Sequence, residues 1–224
     1  LITREMTELL VLDMVRKAVV KKQVVLTIGY DRESLEVVRQ GKTMADSVYK
    51  VKTTGITYTG KVSPDMYGRP HPNHAHGTGN IDHYTSSTEA IMEVMMALYD
   101  RIVDPDLLIR RVGIAACNLI PETDIPAEGP EQMSLFIDYE AVDKAKAERS
   151  AAEERERRLQ RATLALQDRF GKNVLLKGMN YMDGGTTIER NEQIGGHRAG
   201  RDEVMTGRPK KKPYEPMNGG DEDE

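Results

Sequence analysis

Over residues 6–22 apolar side chains return at helical spacing, Met6, Leu10, Met14 and Ala18 with Val11, Val15 and Val19 beside them. Arg16, Lys17, Lys21 and Lys22 collect at the far end, where cations complement a helix dipole, so the stretch predicts a helix. Residues 24–30 are β-branched and aromatic and close on Gly29 and Asp31, which predicts a strand. Residues 34–47 are polar and read as a loop. Period two then takes over: Tyr49 and Val51 alternate with Lys50 and Lys52, and after Thr54-Gly55 the pattern resumes with Ile56, Tyr58 and Val62 against Thr57, Thr59 and Lys61. A half-exposed strand or hairpin with a basic wet face fits. Such a face either tracks phosphates or is simply solvated, and the pattern does not choose between the two.

Residues 63–70, Ser-Pro-Asp-Met-Tyr-Gly-Arg-Pro, form a turn-rich insertion. Ser86, with Glu89 three residues on, is a capping box opening a helix whose Ile91, Met95, Leu98, Tyr99 and Ile102 make one apolar stripe. Met92, Met95 and Met96 there are adaptable core filler, and Asp104-Pro105 ends the helix. Residues 110–117 read as a buried strand entered by two arginines that cannot both be buried. The order so far is helix, strand, strand or hairpin, helix, strand. One preceding strand would complete β-α-β-β-α-β, so the expected class is α+β: an antiparallel sheet backed by two helices on one face and open on the other. Because helical spacing begins almost at the first residue, residues 1–120 read as such a domain truncated at its N-terminus.

Beyond it the organisation loosens. Residues 121–138 combine Pro121, Pro126 and Pro130 with Glu122, Asp124, Glu128 and Glu131, the composition of an extended acidic linker. Residues 139–171 are helical and highly charged, with Ala145, Ala152, Leu159 and Leu166 seven apart. Only Ala162 and Phe170 approach a second apolar position per heptad, so a mostly solvated helix with a weakly docked end is expected. Residues 172–224, with Gly184-Gly185, Gly195-Gly196, Lys210-Lys211-Lys212 and an acidic end, read as a mostly disordered tail.

Composition agrees with a small domain and a long tail: aromatic residues are 5%, Trp is absent and 30% of residues are charged. No apolar run approaches the roughly 18 residues that span a bilayer, and no signal segment opens the chain, so a soluble, cytoplasmic protein without a membrane partner is expected. The single cysteine, Cys117, lies in an apolar run and reads as a small buried hydrophobe in a reducing compartment. A net charge of −4 argues against nucleic acid until its distribution is considered. Residues 1–120 hold 15 basic and 14 acidic side chains, and residues 39–69 hold six basic ones against Asp46 and Asp65, so the acidity belongs mostly to the tail.

His71, His74, His76 and His83 fall within thirteen residues, which raises the question of zinc. No cysteine lies near and the spacing matches no common structural zinc pattern, so no metal is expected; histidines on an exposed strand touching phosphate or water fit better.

The pentapeptide Gln132-Met133-Ser134-Leu135-Phe136 stands apart in the acidic linker. Its apolar side chains either pack back on their own domain or need another surface to bury in. It resembles the sliding-clamp-binding peptide of bacterial replication and repair proteins, in which the Gln bonds at the rim and the Leu-Phe pair enters an apolar pocket. It follows a small α/β domain ending in Arg110-Arg111-Val112-Gly113-Ile114, and the two together resemble the C-terminal part of a bacterial Y-family translesion DNA polymerase, a little finger domain followed by a clamp-binding tail. The helix from Ser86 and the Asp-Arg-Ile-Val-Asp-Pro segment at 100–105 fit as well. Residues 189–198, Glu-Arg-Asn-Glu-Gln-Ile-Gly-Gly-His-Arg, are similar to the closing signature of the Gram-positive repair branch.

That resemblance implies a four-stranded sheet whose open face lies in the major groove of primer-template DNA, with Arg110 and Arg111 on template-strand phosphates. Further DNA contacts would fall among Lys50, Lys52, Lys61, His74, His76 and Thr78, although the 54–83 insertion is longer than in the best-known little fingers. Gln132, Met133, Ser134, Leu135 and Phe136 would bind the sliding clamp. The third implied partner is the palm, fingers and thumb of the same polypeptide, which carry the catalytic carboxylates and their Mg2+; no catalytic residue or cofactor is expected in this chain. The implied role is DNA binding and clamp tethering for error-prone translesion synthesis in DNA repair and SOS mutagenesis, at the nucleoid. Two rival readings are a non-enzymatic protein-interaction adaptor with a charged helical arm and an RNA-binding sheet, the latter short of base-stacking aromatics.

Overall fold

The computed structural model describes residues 1–126, 139–194 and 197–198. Helix α1 (Ile2–Arg16) starts and stops earlier than the apolar spacing predicts. Ala18 turns the chain at φ 52°, and β1 (Val19–Tyr30) begins there, because the β-branched pairs at 19–20 and 24–25 favour a strand over another helical turn. Lys21 and Lys22 therefore belong to the strand and not to a helix C-terminus. Lys22 is exposed and sits 4.8 Å from the Tyr84 ring centroid.

Lys21 is fully buried, its Nζ reaching only the Cys117 carbonyl at 3.4 Å, and burial pushes its amine down to about 8. An unfolded lysine keeps its ordinary value, so stability is expected to climb as pH rises from about 8 toward 10.5. Replacing Lys21 by Met should stabilise the protein at pH 7 by about 1 kcal/mol, after discounting for relaxation, and should remove that climb. Urea unfolding at pH 7 and pH 9.5 measures both effects.

A one-turn helix at Arg32–Ser34 leads into the stretch expected as a loop, which contains strand β2 (Leu35–Arg39), paired with β3 (Val48–Val51). Only Leu35 of β2 is buried, so no alternation marks the strand in the sequence. Tyr49 and Val51 are buried and Lys50 exposed, the alternation expected of β3. Next come β4 (Val62–Pro64) and β5 (Pro70–Pro72), a short hairpin in the turn-rich insertion.

β6 (Ala75–Thr85), α2 (Thr88–Ile102), β7 (Ile109–Ala116) and β8 (Ile120–Pro121) complete an antiparallel sheet of order β6-β1-β7, in which β8 pairs with the start of β1. The fold is α+β. Val24, Leu26, Ile28 and Tyr30 of β1 alternate toward the helices, where they share a core with Val11, Met14 and Val15 of α1 and Ile91, Met95 and Leu98 of α2. Helix α2 rides so close to β6 that a Cβ on Gly79 would lie 2.5 Å from Val94 Cγ1. Its N-cap is Ser87, whose Oγ accepts from the Ala90 N–H, and not Ser86. β7, expected to be buried, is an outer strand of the sheet and largely half-exposed, and Cys117 is half-buried.

Helix α3 (Tyr139–Phe170) is mostly exposed, as expected, with only Gln160 and Leu164 buried, and the part that docks does so along a polar face. Glu156 accepts from Ser87 Oγ at 2.6 Å and from the Thr88 N–H at 2.8 Å, placing an anion on the N-terminus of α2. Glu153 meets His83 at 2.6 Å, Gln160 donates to the Ser86 carbonyl at 3.1 Å, and Leu164 joins the core. The seven-spaced leucines point elsewhere: Leu159 is 70% exposed and Leu166 42%. Pro121 pairs with Val19, and Glu122 faces Arg157 and Arg161, so the ordered chain runs past the expected start of the linker.

Order also continues beyond residue 172, the expected start of the tail. A one-turn helix at Gly178–Tyr181 and α4 (Thr187–Asn191) pack on α1, where Glu5 accepts from the Thr186 N–H and Oγ1 and from Asn180 Nδ2. The described residues up to Asn191 form one compact unit. In a separate small unit, β9 (Gln193–Ile194) pairs with β10 (His197–Arg198). Among the described residues no helix is long and apolar enough to cross a membrane.

Candidate nucleic-acid interface

The period-two backbone of β1 places Gln23, Val25, Thr27 and Gly29 on the sheet face opposite the helices. The registers set neighbours beside them: Asn80, Thr78 and His76 on β6, and Ala115, Gly113 and Arg111 on β7. This face is polar. Gln23 donates to Asn80 at 3.1 Å, and Thr27 Oγ1 pairs with His76 Nδ1 at 2.9 Å.

Two consecutive arginines on a regular strand would point to opposite faces. Here Gly29 pairs with Arg111 while Tyr30 pairs with Ile109, which leaves Arg110 as the extra residue of a β-bulge. A bulge re-aims side chains, and both arginines line one broad, shallow concavity of about 570 Å³ with Thr27, Gly29, Tyr30, His71 and His74. Gly29 keeps its floor low, since a Cβ there would press on the Arg111 Cβ at 3.3 Å. Among the described residues no carboxylate pairs with Arg110 or Arg111, and both are exposed. The Tyr30 hydroxyl accepts from the Asp104 N–H at 2.8 Å, and burial raises the phenol's pKa, so the concavity's back wall stays neutral.

Of the residues singled out as DNA contacts, Arg110, Arg111 and His74 share this concavity, and His76 and Thr78 continue the same sheet face. Lys50 and Lys52, on and just after β3, and Lys61, in the insertion, are exposed and do not line the concavity; Lys61 borders a different cleft with Tyr49, Tyr58 and Asn73. Gln132, Met133, Ser134, Leu135 and Phe136 lie outside the described residues. Thr27 and Gly29 join the site without having been marked as contacts, and His71 joins it from the histidines expected to touch phosphate or water. The signal for Thr27 and Gly29 was their place between the apolar Leu26, Ile28 and Tyr30.

The four histidines do not converge. His71 and His74 line the concavity, His76 bonds Thr27, and His83 lies between Asp82 and Glu153. Asp82, the carboxylate on this side of β6, is held by His83 and by Arg149 of α3, and these partners keep its pKa below the usual carboxylate range against the opposing effect of burial. The open face therefore presents cations, hydroxyls and amides, which suit phosphate oxygens. No protein-family model matches the chain, and no curated protein or solved structure is significantly similar to it.

Proposed function

We propose that this chain is the DNA-binding and clamp-tethering region of an error-prone translesion DNA polymerase, acting in DNA repair at the nucleoid. The observation that carries the reading is the bulge at Arg110, which sets two exposed, carboxylate-free arginines side by side on the open face of a helix-backed sheet. Side chains of this kind hold duplex through its phosphates without reading sequence, and the affinity falls steeply with salt. Thr78 and His76 extend the track along β6, with His74 just before it, while Lys50, Lys52 and Lys61 reach DNA only where it passes β3 and the insertion. The chemistry belongs to a palm, fingers and thumb of the same polypeptide, with their Mg2+, and this chain contributes grip and recruitment.

Recruitment falls to residues 132–136. Burying Leu135 and Phe136 in a clamp pocket is worth about 1.5–3 kcal/mol each, a modest affinity that tethering to DNA-bound clamp multiplies through effective concentration. The test is a titration of the full chain on primer-template duplex at low and moderate salt, with and without loaded clamp. Salt-steep binding that the clamp strengthens is expected. Neither effect, from a folded sample, overturns the proposal in favour of a protein-interaction adaptor.

A further inference from the structure

We propose that the tip of the β4–β5 hairpin is a stacking platform for an unpaired base in the single strand that continues from a duplex held at Arg110 and Arg111, an inference that rests on the DNA-binding reading above. Met66, 88% exposed, and Tyr67, 71% exposed, are the most exposed large apolar side chains among the described residues, and they are adjacent. They sit on a turn held in one shape. The Asp65 carboxylate accepts from the Tyr67 N–H at 2.8 Å, from the Arg69 N–H at 3.0 Å and from Arg69 Nε at 2.8 Å, and Gly68 supplies the φ of 75° that the turn requires. Those bonds from Arg69 hold the Asp65 carboxyl down at about 2, so the turn keeps its anion at any physiological pH. The Arg69 guanidinium lies over the Tyr67 ring, 4.7 Å from its centroid, which fixes the ring and covers one of its faces, so a base would stack on the other.

The hairpin is joined to the proposed interface by its own chain. Strand β5 runs from the tip into His71, and His71 and His74 line the concavity with the two arginines. His71 lies four positions beyond Tyr67, a reach of at most about 14 Å. At about 3.4 Å of rise per nucleotide, the tip lies within roughly four nucleotides of a strand gripped in the concavity. Wedging between stacked base pairs would cost a few kcal/mol of unstacking, whereas an unpaired base offers its π-face without that cost. An aromatic ring with an adjacent guanidinium, placed next to a phosphate cradle, fits such a base in any sequence.

The experiment compares the full chain on a blunt DNA duplex and on the same duplex with a short single-stranded overhang, by fluorescence anisotropy. The unmodified chain is expected to bind the overhang duplex about tenfold tighter. Tyr67→Ala should erase that preference while leaving blunt-duplex affinity unchanged, Tyr67→Phe should keep it, and Arg110→Ala with Arg111→Ala should weaken both duplexes alike. A preference that survives Tyr67→Ala overturns the inference. Arginine-dependent binding with no preference for the overhang also overturns it, leaving the tip to a protein partner and the DNA reading intact. Failure of the unmodified chain to bind either duplex removes the DNA reading and this inference with it. Both tip residues are exposed, so the variants should unfold at the same temperature as the parent.

Discussion

Replacing Arg110 and Arg111 together by alanine is expected to weaken binding to primer-template duplex about a hundredfold near 0.1 M salt and to lower the salt slope by about two. The slope is the more diagnostic quantity. Each arginine that neutralises a phosphate releases about 0.9 counterion, so the loss of two contacts flattens the logarithmic plot by a defined amount, whereas a general loss of fold would abolish binding at all salt concentrations. Both side chains are exposed and make no ion pair among the described residues, so the variant's unfolding temperature should match the parent's. Lys50→Ala with Lys52→Ala is the informative comparison. These lysines carry the same charge but lie on and just after β3, outside the concavity, and their joint removal should cost less than tenfold. Equal effects from the two pairs would mean diffuse attraction to a basic surface and would dissolve the site as drawn.

The parts of the site that were legible in the sequence were those with a local period. The β-branched and aromatic run at 24–30 lies in β1, the stripe from Ile91 to Leu98 is the buried face of α2, and the arginine pair announces the start of β7. The grouping of the arginines on one face was not legible, because it depends on a register slip against Tyr30, about eighty residues away in the sequence and not encoded in the neighbours of Arg110. Helix α3 shows the opposite failure. Its heptad-spaced leucines draw the eye, yet Glu153, Glu156 and Gln160 make the contact, since what they meet is polar: a histidine and the unpaired N–H groups at the start of α2. Hydropathy carries no record of a docking surface made of hydrogen bonds. The same reason hides residues 172–191, whose buried anchor, Asn180, is polar and whose partner on α1 is an acid.

That acid yields the largest expected effect on stability. Glu5 is 1% exposed, and a carboxylate so placed should be driven toward its neutral form by desolvation. Burial does push its pKa up, but the hydrogen bonds from the Thr186 N–H at 2.8 Å, Asn180 Nδ2 at 3.1 Å and Thr186 Oγ1 at 3.0 Å outweigh it, and the net shift is downward from 4.5. The ionised form is therefore what clasps residues 180–187 to α1. Glu5→Ala removes the acceptor and leaves a buried amide N–H and a side-chain amide unsatisfied, a loss on the order of 3 kcal/mol, or about 6–12 °C in unfolding temperature for a unit of this size. In the parent, a carboxylate with a lowered folded pKa contributes its full stability above 4.5 and loses it as pH falls through the folded value. Acid unfolding of the parent should thus steepen below pH 4.5, and Glu5→Ala, already without the contribution, should show a shallower dependence there. Limited proteolysis adds a spatial readout: in the variant, cleavage should appear first within residues 172–191, before α1 or the sheet is attacked. A fall of less than about 2 °C with an unchanged cleavage pattern would mean that Leu164 and the polar face of α3 hold the C-terminal segment in place by themselves.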